Sequence, residues 1–247
     1  LLKDDYLYIS QPNNHRIIRL DMTSSNLAYE FYAGSGNGSY NGNGSASLGT
    51  DFNKPVGFAF DASGRMYIAD SENRRIRRLE ANGLVSTYAG NPDTTSSYNQ
   101  TIYLPGYSGD GVSAVDAKFA LPHSLAFDSA GNLFVSDRDN HIVRKIDTTG
   151  VITNYAGIPE QSGSSEENSQ ATQFKLSYPR GIALDSSDNL YICDTNRLVK
   201  VDSSTLKATT FASGSNFNPN GILIKDDNIY VATGTFIKSI DSDDAAK

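Results

Sequence analysis

Cysteine is almost absent. Cys193 stands alone among 247 residues, so the chain can form no intramolecular disulfide. It lies within Leu190-Tyr-Ile-Cys-Asp194, an apolar run with no histidine nearby. That setting suits a small buried hydrophobe better than a nucleophile. Histidine is nearly as scarce, with only His15, His123 and His141. No apolar run approaches the roughly 20 residues of a membrane helix, so membrane insertion is not expected. Gly-x-Ser-x-Gly, His-Glu-x-x-His and a phosphate-cradling loop ending in Gly-Lys-Ser/Thr are all missing, which removes the common nucleophile, metalloprotease and nucleotide signatures. Basic residues are outnumbered, 21 against 28, giving a net charge of −7. Phosphate backbones repel such a chain, which argues against nucleic-acid binding. The chain opens at Leu1 without a leader, as a processed or trimmed product would, and this leaves secretion open.

Glycine (21) and tyrosine (14) are plentiful, as tight turns and half-buried strands require. An internal repeat then decides the architecture. Pro55-Val-Gly-Phe-Ala-Phe-Asp-Ala-Ser-Gly-Arg-Met-Tyr-Ile-Ala-Asp70 aligns with Pro122-His-Ser-Leu-Ala-Phe-Asp-Ser-Ala-Gly-Asn-Leu-Phe-Val-Ser-Asp137. Pro179-Arg-Gly-Ile-Ala-Leu-Asp-Ser-Ser-Asp-Asn-Leu-Tyr-Ile-Cys-Asp194 is a third copy. A weaker fourth starts at Pro219, and a first copy without its opening begins at Asp5. Each unit predicts four short strands: A at 57–61, B at 65–70, C at 76–79 and D at 84–89, with Gly64 and Asn82-Gly83 in the hairpin turns. Four antiparallel strands, repeated, make a propeller blade. The opening prolines Pro55, Pro122, Pro179 and Pro219 lie 67, 57 and 40 residues apart, and all the variation falls between strand D and the next strand A. Insertions confined to one loop class are expected of repeat proteins.

The runs Asn14-His-Arg-Ile-Ile-Arg-Leu20, Asn73-Arg-Arg-Ile-Arg-Arg-Leu79 and Asn140-His-Ile-Val-Arg-Lys-Ile146 each follow a strand B. With the connector Gly106-Tyr-Ser-Gly-Asp-Gly111 leading to Phe119-Ala-Leu-Pro122, they resemble the NHL-repeat β-propeller family over nearly the whole chain. The resemblance implies an all-β propeller of four-stranded blades, one domain over residues 1–247. About five repeats are visible. The first and last units are short of strands, so the chain is expected to be incomplete at one or both ends of a six-blade ring, or else to close as a small five-blade ring.

In such a propeller the D–A connectors and the B–C turns share one face. The long connectors, residues 34–54, 90–121 and 157–178, are rich in Gly, Ser, Asn and Tyr, a composition suited to recognition. The expected ligand-binding face comprises Tyr40, Tyr98, Tyr103 and Tyr107 as aromatic anchors, with His15, Arg74 and His141 from the turns. A protein or glycan partner and self-assembly both suit it. Sequons at Asn37, Asn43 and Asn99 fall in the same connectors and point to glycosylation at the cell surface or outside the cell. The aspartates Asp70, Asp137 and Asp194 are expected to cap their B–C turns rather than serve chemistry. Peptidylglycine amidating lyases, propellers that resemble this family, bind zinc through histidines of several blades. His123 could point toward such an axis, but Val56, Arg180 and Asn220 hold the equivalent positions, so neither a metal nor a cofactor is expected. A lyase or hydrolase with an axial metal is the enzymatic alternative. An RNA-binding scaffold using Arg74, Arg75, Arg77 and Arg78 is a further one.

Overall fold

Hairpins in the repeat close on aspartates. Asp61 Oδ1 accepts the amides of Ser63 and Arg65, each at 2.9 Å, and Asp185 Oδ1 accepts those of Ser187 and Asn189 at 3.0 and 2.9 Å. Asp147 does the same in a C–D hairpin, accepting from Thr149 and Val151. These side-chain turns fix the hairpin tips without help from packing. Gly64 and Gly131 adopt positive φ as the sequence predicts, and Asp188 takes the same conformation in the third copy.

A computed structural model describes residues 1–91, 94–97, 100–103, 106–108, 110–214, 216–226, 228–234 and 236–240. Among them every regular element is a strand or a 3-10 turn, and no helix is long and apolar enough to cross a membrane. The chain packs as two compact units, residues 1–105 with 114–122, and residues 106–113 with 123–247.

The first unit holds two blade sheets. Blade 1 orders β1 (Leu2–Lys3), β2 (Tyr6–Gln11), β3 (Arg16–Asp21) and β4 (Tyr29–Ala33). Its strand A, expected to be missing, is present as the two-residue β1 paired with Leu7 and Tyr6. Blade 2 contains β5 (Ser45–Ala46), β6 (Pro55–Phe60), β7 (Met66–Asp70), β8 (Arg75–Leu79) and β9 (Leu84–Ala89), in the order β5-β9-β8-β7-β6. The hairpin β10 (Thr94–Ser97) and β11 (Gln100–Tyr103) follows. A core of Tyr8, Ile17, Phe52, Met66, Ile68 and Val85 joins the two blades.

The second unit holds three. Blade 3 contains β12 (Val112–Ser113), β13 (Pro122–Phe127), β14 (Leu133–Asp137), β15 (Ile142–Ile146) and β16 (Val151–Ala156). Blade 4 contains β17 (Ser169–Gln170), β18 (Ile182–Leu184), β19 (Leu190–Asp194), β20 (Arg197–Val201) and β21 (Lys207–Ser213). Blade 5 has β22 (Gly221–Lys225), β23 (Asn228–Ala232) and β24 (Ile237–Ile240). Phe134, Phe174, Leu190 and Val199 pack between blades 3 and 4, and Tyr191, Leu198, Phe217 and Val231 between blades 4 and 5. Cys193 belongs to the latter core, and burial pushes its thiol up to about 12. It is a buried hydrophobe, as its sequence context predicts.

Blades 2, 3 and 4 therefore have five strands where the repeat predicts four. The extra strand comes from the connector. Its two residues pair with the outer strand D: Ser45 with Val85, Val112 with Ile152, Ser169 with Ala208. Two residues are too few for an alternating apolar pattern to announce them.

Within the blades the aromatic and basic residues form a ladder. Tyr8, Tyr67, Phe134 and Tyr191 of strand B face Arg19, Arg78, Lys145 and Lys200 of strand C in register. Each ring also meets a strand D aromatic edge-on, with centroids 4.8–5.1 Å apart, in Tyr32, Tyr88, Tyr155 and Phe211. Such cross-strand pairs are the unit of sheet stabilisation.

Candidate binding face

In blades 2, 3 and 4 strand B ends in a buried aspartate, Asp70, Asp137 or Asp194, and after the first two the chain makes a 3-10 turn. Asp70 Oδ1 accepts the amide of Asn53 at 2.7 Å, and Asp70 Oδ2 accepts Asn73 Nδ2 at 2.9 Å. Asp194 Oδ1 accepts the amide of Ser177 at 2.5 Å. Asp70 and Asp194 thus grip the connector ahead of strand A, and in the turns after Asp70 and Asp137 the aspartate caps no helical amide. For Asp70 and Asp137 this corrects the expected capping while keeping the role structural, whereas Asp194 also accepts the Thr195 amide of its B–C turn, as expected. Burial raises Asp70 to about 6, against the opposing pull of Asn73, the Asn53 amide and Arg77.

The asparagine and arginine that follow fasten the long connectors. Asn73 Nδ2 also donates to the carbonyl of Ser39 at 2.7 Å. Fully buried Arg77 donates to the carbonyl of Gly42 at 2.6 Å and lies 3.6 Å from Asp70. In blade 3 Asn140 Nδ2 donates to the carbonyl of Gly106 at 2.7 Å, and fully buried Arg144 pairs with Asp110 at 3.5 Å. In blade 4 Arg197 donates to Gly163 and Lys175 at 3.1 and 2.8 Å. The B–C turns and D–A connectors do meet, as predicted.

The expected anchors take specific places in this scheme. Tyr40 lies under two guanidiniums, Arg75 at 4.0 Å and Arg77 at 4.9 Å. Tyr107 lies under Arg144 at 4.7 Å and donates its hydroxyl to Asp110 at 3.2 Å. Both rings thus pack against the arginines that hold the connectors. Tyr103 falls on β11. Tyr98 and the Asn99 sequon lie outside the described residues. Asn37 and Asn43 are exposed, and Asn43 uses its Oδ1 internally, accepting the Thr87 amide at 2.8 Å.

His15, Arg74 and His141 close the 3-10 turns between strands B and C of blades 1, 2 and 3 in the left-handed conformation, φ 54°, 55° and 60°. His15 Nδ1 accepts the amide of Lys54 at 3.1 Å, and His141 Nδ1 accepts that of Tyr178 at 3.2 Å. Lys54 and Tyr178 precede prolines and are left-handed themselves, φ 49° and 57°. That is a costly backbone for a non-glycine residue, and the imidazole acceptor helps to hold it. These two histidines latch one blade to the entry of the next.

The arginine cluster is largely spent inside the fold. Arg75 is buried, Arg77 is fully buried, and Arg78 pairs with Glu80 at 2.7 Å. His123 sits near two cations, Arg138 and Arg180, and burial with these charges lowers its imidazole to about 4. Cations repel a metal ion, and no group of three His, Cys, Asp or Glu converges among the described residues.

The family model of the Teneurin NHL domain matches residues 2–103, and that of the NHL repeat matches residues 119–146 and 176–198. The chain belongs to the NHL-repeat β-propellers. Teneurin-1 of Gallus gallus is 28% identical over 151 residues, 56% of this chain and 5% of that protein. Teneurin-m of Drosophila melanogaster is 25% identical over 206 residues, 78% of this chain and 7% of that protein. The NHL-repeat chain thus spans about a twentieth of the curated relatives it matches. Solved structures share its fold. A chain of a nidogen/laminin complex superposes with a TM-score of 0.65 at 15% identity, covering 98% of this chain and 75% of that one. A gluconolactonase of Xanthomonas campestris gives 0.61 at 16%, covering 97% and 69%. These two likenesses concern the fold alone.

Sequence reasoning missed the buried arginines and the fifth strands. Each fifth strand follows an acceptor side chain and a left-handed residue, Asn43-Gly44, Asp110-Gly111 and Glu167-Asn168, but the three pairs share no residue pattern that would announce a strand, and nothing local marks the arginines as buried.

Proposed function

We propose that this chain is a non-enzymatic binding module of a secreted or cell-surface protein, engaging a protein or glycan through the face that carries the D–A connectors. One observation carries the reading. Buried Asn73, Arg77, Asn140 and Arg144, with partly buried Arg197, hold the connectors to the blades. Loops ordered before binding lose less entropy on binding, so affinity rises without new contacts. The exposed sequon asparagines Asn37 and Asn43 support an extracellular setting. Similarity to teneurins supports a role within a larger chain.

The test uses the glycosylated protein, tetramerised on streptavidin, against a glycan array and a panel of secreted ectodomains. For a hit, Tyr103→Ala and Tyr107→Ala are expected to weaken affinity at least tenfold while the unfolding midpoint holds. Unchanged affinity in both variants overturns the reading. Turnover of lactone or ester substrates by the purified protein would favour the enzymatic alternative instead.

A further inference from the structure

Asn43 does the same structural work as Asp110 and Glu167, with an amide where they have a carboxylate. Each connector side chain accepts the amide of a strand D residue. Asn43 accepts from Thr87 at 2.8 Å, Asp110 from Asn154 at 2.5 Å, and Glu167 from Thr210 at 2.6 Å. Glu167 uses its other oxygen for the Thr210 hydroxyl, at 2.6 Å. Asn43 takes both groups of Thr87 with one atom, because its Oδ1 also accepts the Thr87 hydroxyl at 2.9 Å. Its Nδ2 makes no hydrogen bond among the described residues. A carboxylate would serve the fold equally well there. The amide nitrogen that is left over opens the triplet Asn43-Gly-Ser45, an acceptor for N-linked glycan.

Two hydrogen bonds hold the Asn43 side chain, and so they set where a sugar on Nδ2 begins. A glycosylated amide is planar and trans, as a peptide is, which puts the first sugar carbon on the Oδ1 side, toward Thr87. Asn43 and Thr87 both line a groove of about 240 Å³, whose other walls include Tyr40, Arg75, Asn91 and Val115. The Val115 side chain is apolar and 48% exposed. The Tyr40 ring is held by the Arg75 guanidinium at 4.0 Å, with its hydroxyl 3.4 Å from Thr87 Oγ1. Asn91 adds an exposed amide. Apolar walls with a few fixed polar groups suit a small ligand. The sequon at Asn37 has no such clamp. Its side chain makes one hydrogen bond among the described residues, from Nδ2 to Asp51 Oδ1 at 3.5 Å.

We propose that the groove between Tyr40 and Val115 is the seat of this chain's own glycan, filled by the first N-acetylhexosamine on Asn43. The donor is a lipid-pyrophosphate-linked oligosaccharide. The Nδ2–C1 bond forms, the bond from C1 to the pyrophosphate oxygen breaks, Nδ2 gives up one proton, and the lipid pyrophosphate leaves. In the folded chain the sugar lies along Thr87, with its apolar face and acetyl methyl against Tyr40 and Val115 and its polar groups toward Asn91. The Asn43 glycan is thus a fixed part of the connector face, and the glycan on Asn37 projects freely. Tyr40 then serves the chain's own sugar and not a partner. The seat rests on the secreted or cell-surface setting proposed above, where such donors act.

The test uses the chain secreted from cultured eukaryotic cells with Asn37→Gln and Asn99→Gln, so that Asn43 alone carries sugar. An endoglycosidase trims the glycan to one 13C-labelled N-acetylglucosamine. Nuclear Overhauser contacts are expected from that sugar to the Val115 methyls and the Tyr40 ring. Ser45→Ala removes the glycan and leaves Asn43 in place, and it should lower the unfolding midpoint by about 2–4 °C, the scale of one lost packing contact in a domain of this size. Val115→Ser should lower the midpoint of the glycosylated chain and leave that of the Ser45→Ala chain nearly unchanged. A glycosylated Asn43 without those contacts, or equal midpoints with and without the sugar, overturns the seat and leaves the secreted setting standing. A secreted chain whose Asn43 stays bare in peptide mass spectrometry overturns the seat and removes the support that this sequon lends to the setting as well.

Discussion

Gly157 ends strand D of blade 3 at φ +93°, and a Cβ built there would lie 2.3 Å from the His141 carbonyl oxygen. Gly150, at φ +85°, has open space around the same atom. The two separate strain from collision. Gly150→Ala is expected to cost about 1–2 kcal/mol, the penalty of a left-handed L-residue. Gly157→Ala should cost more than about 3 kcal/mol, since a backbone must also move. Urea unfolding of both variants checks the difference. His123 offers a pH test. Its imidazole is lowered from 6.5 to about 4 by burial and by Arg138 and Arg180. A depressed folded value means the unfolded chain binds the proton first. His123 thus contributes stability above pH 6.5 that is lost as the pH falls through about 4. Relative to His123→Asn, the wild type should lose up to about 3 kcal/mol over that interval. A proton NMR titration should place the His123 midpoint near 4, and a midpoint near 6.5 would contradict its burial.

At the scale of elements, strands A to D and their turns were legible in the sequence. Period-two apolar patterning and aspartate or glycine turns are local signals, read without knowing the fold. The connector strands were not legible, because two residues carry no period. The fate of the basic run was hidden for another reason. Arg75, Arg77 and Arg78 are adjacent or nearly so in sequence, and strand alternation sends Arg77 inward while Arg78 reaches Glu80 at the surface. Removing the inward one is expected to release its connector. Arg77→Ala should cost about 3 kcal/mol, because Asp70 is left as a buried partner without its cation. Hydrogen exchange should then quicken at the Gly44 amide, which donates to Val85 in the wild type. If the Gly44 amide stayed protected, the arginine would not be what holds the loop.

For the molecule as a whole, the exposed sequons make a mass prediction. Protein secreted from eukaryotic cells should carry N-linked glycan at Asn37 and Asn43, seen as an intact mass that falls on enzymatic deglycosylation. Asn43 can carry it within the fold, because its Oδ1 and not its Nδ2 accepts from Thr87. A mass equal to the bare polypeptide would remove the main support for an extracellular setting. The acidic net charge of −7 belongs to this scale too, since it sets long-range steering rather than fold.

By itself the sequence determined the repeat, the four principal strands of blades 2 to 4, the turn chemistry and the buried fate of Cys193. All are encoded in residues near one another along the chain. Only the tertiary structure decided that connectors return as fifth strands, that His15 and His141 latch backbone amides 39 and 37 residues away, and that Arg77 and Arg144 lie inside. Those outcomes depend on which backbone carbonyl or amide a distant segment presents, and side-chain identity does not encode that.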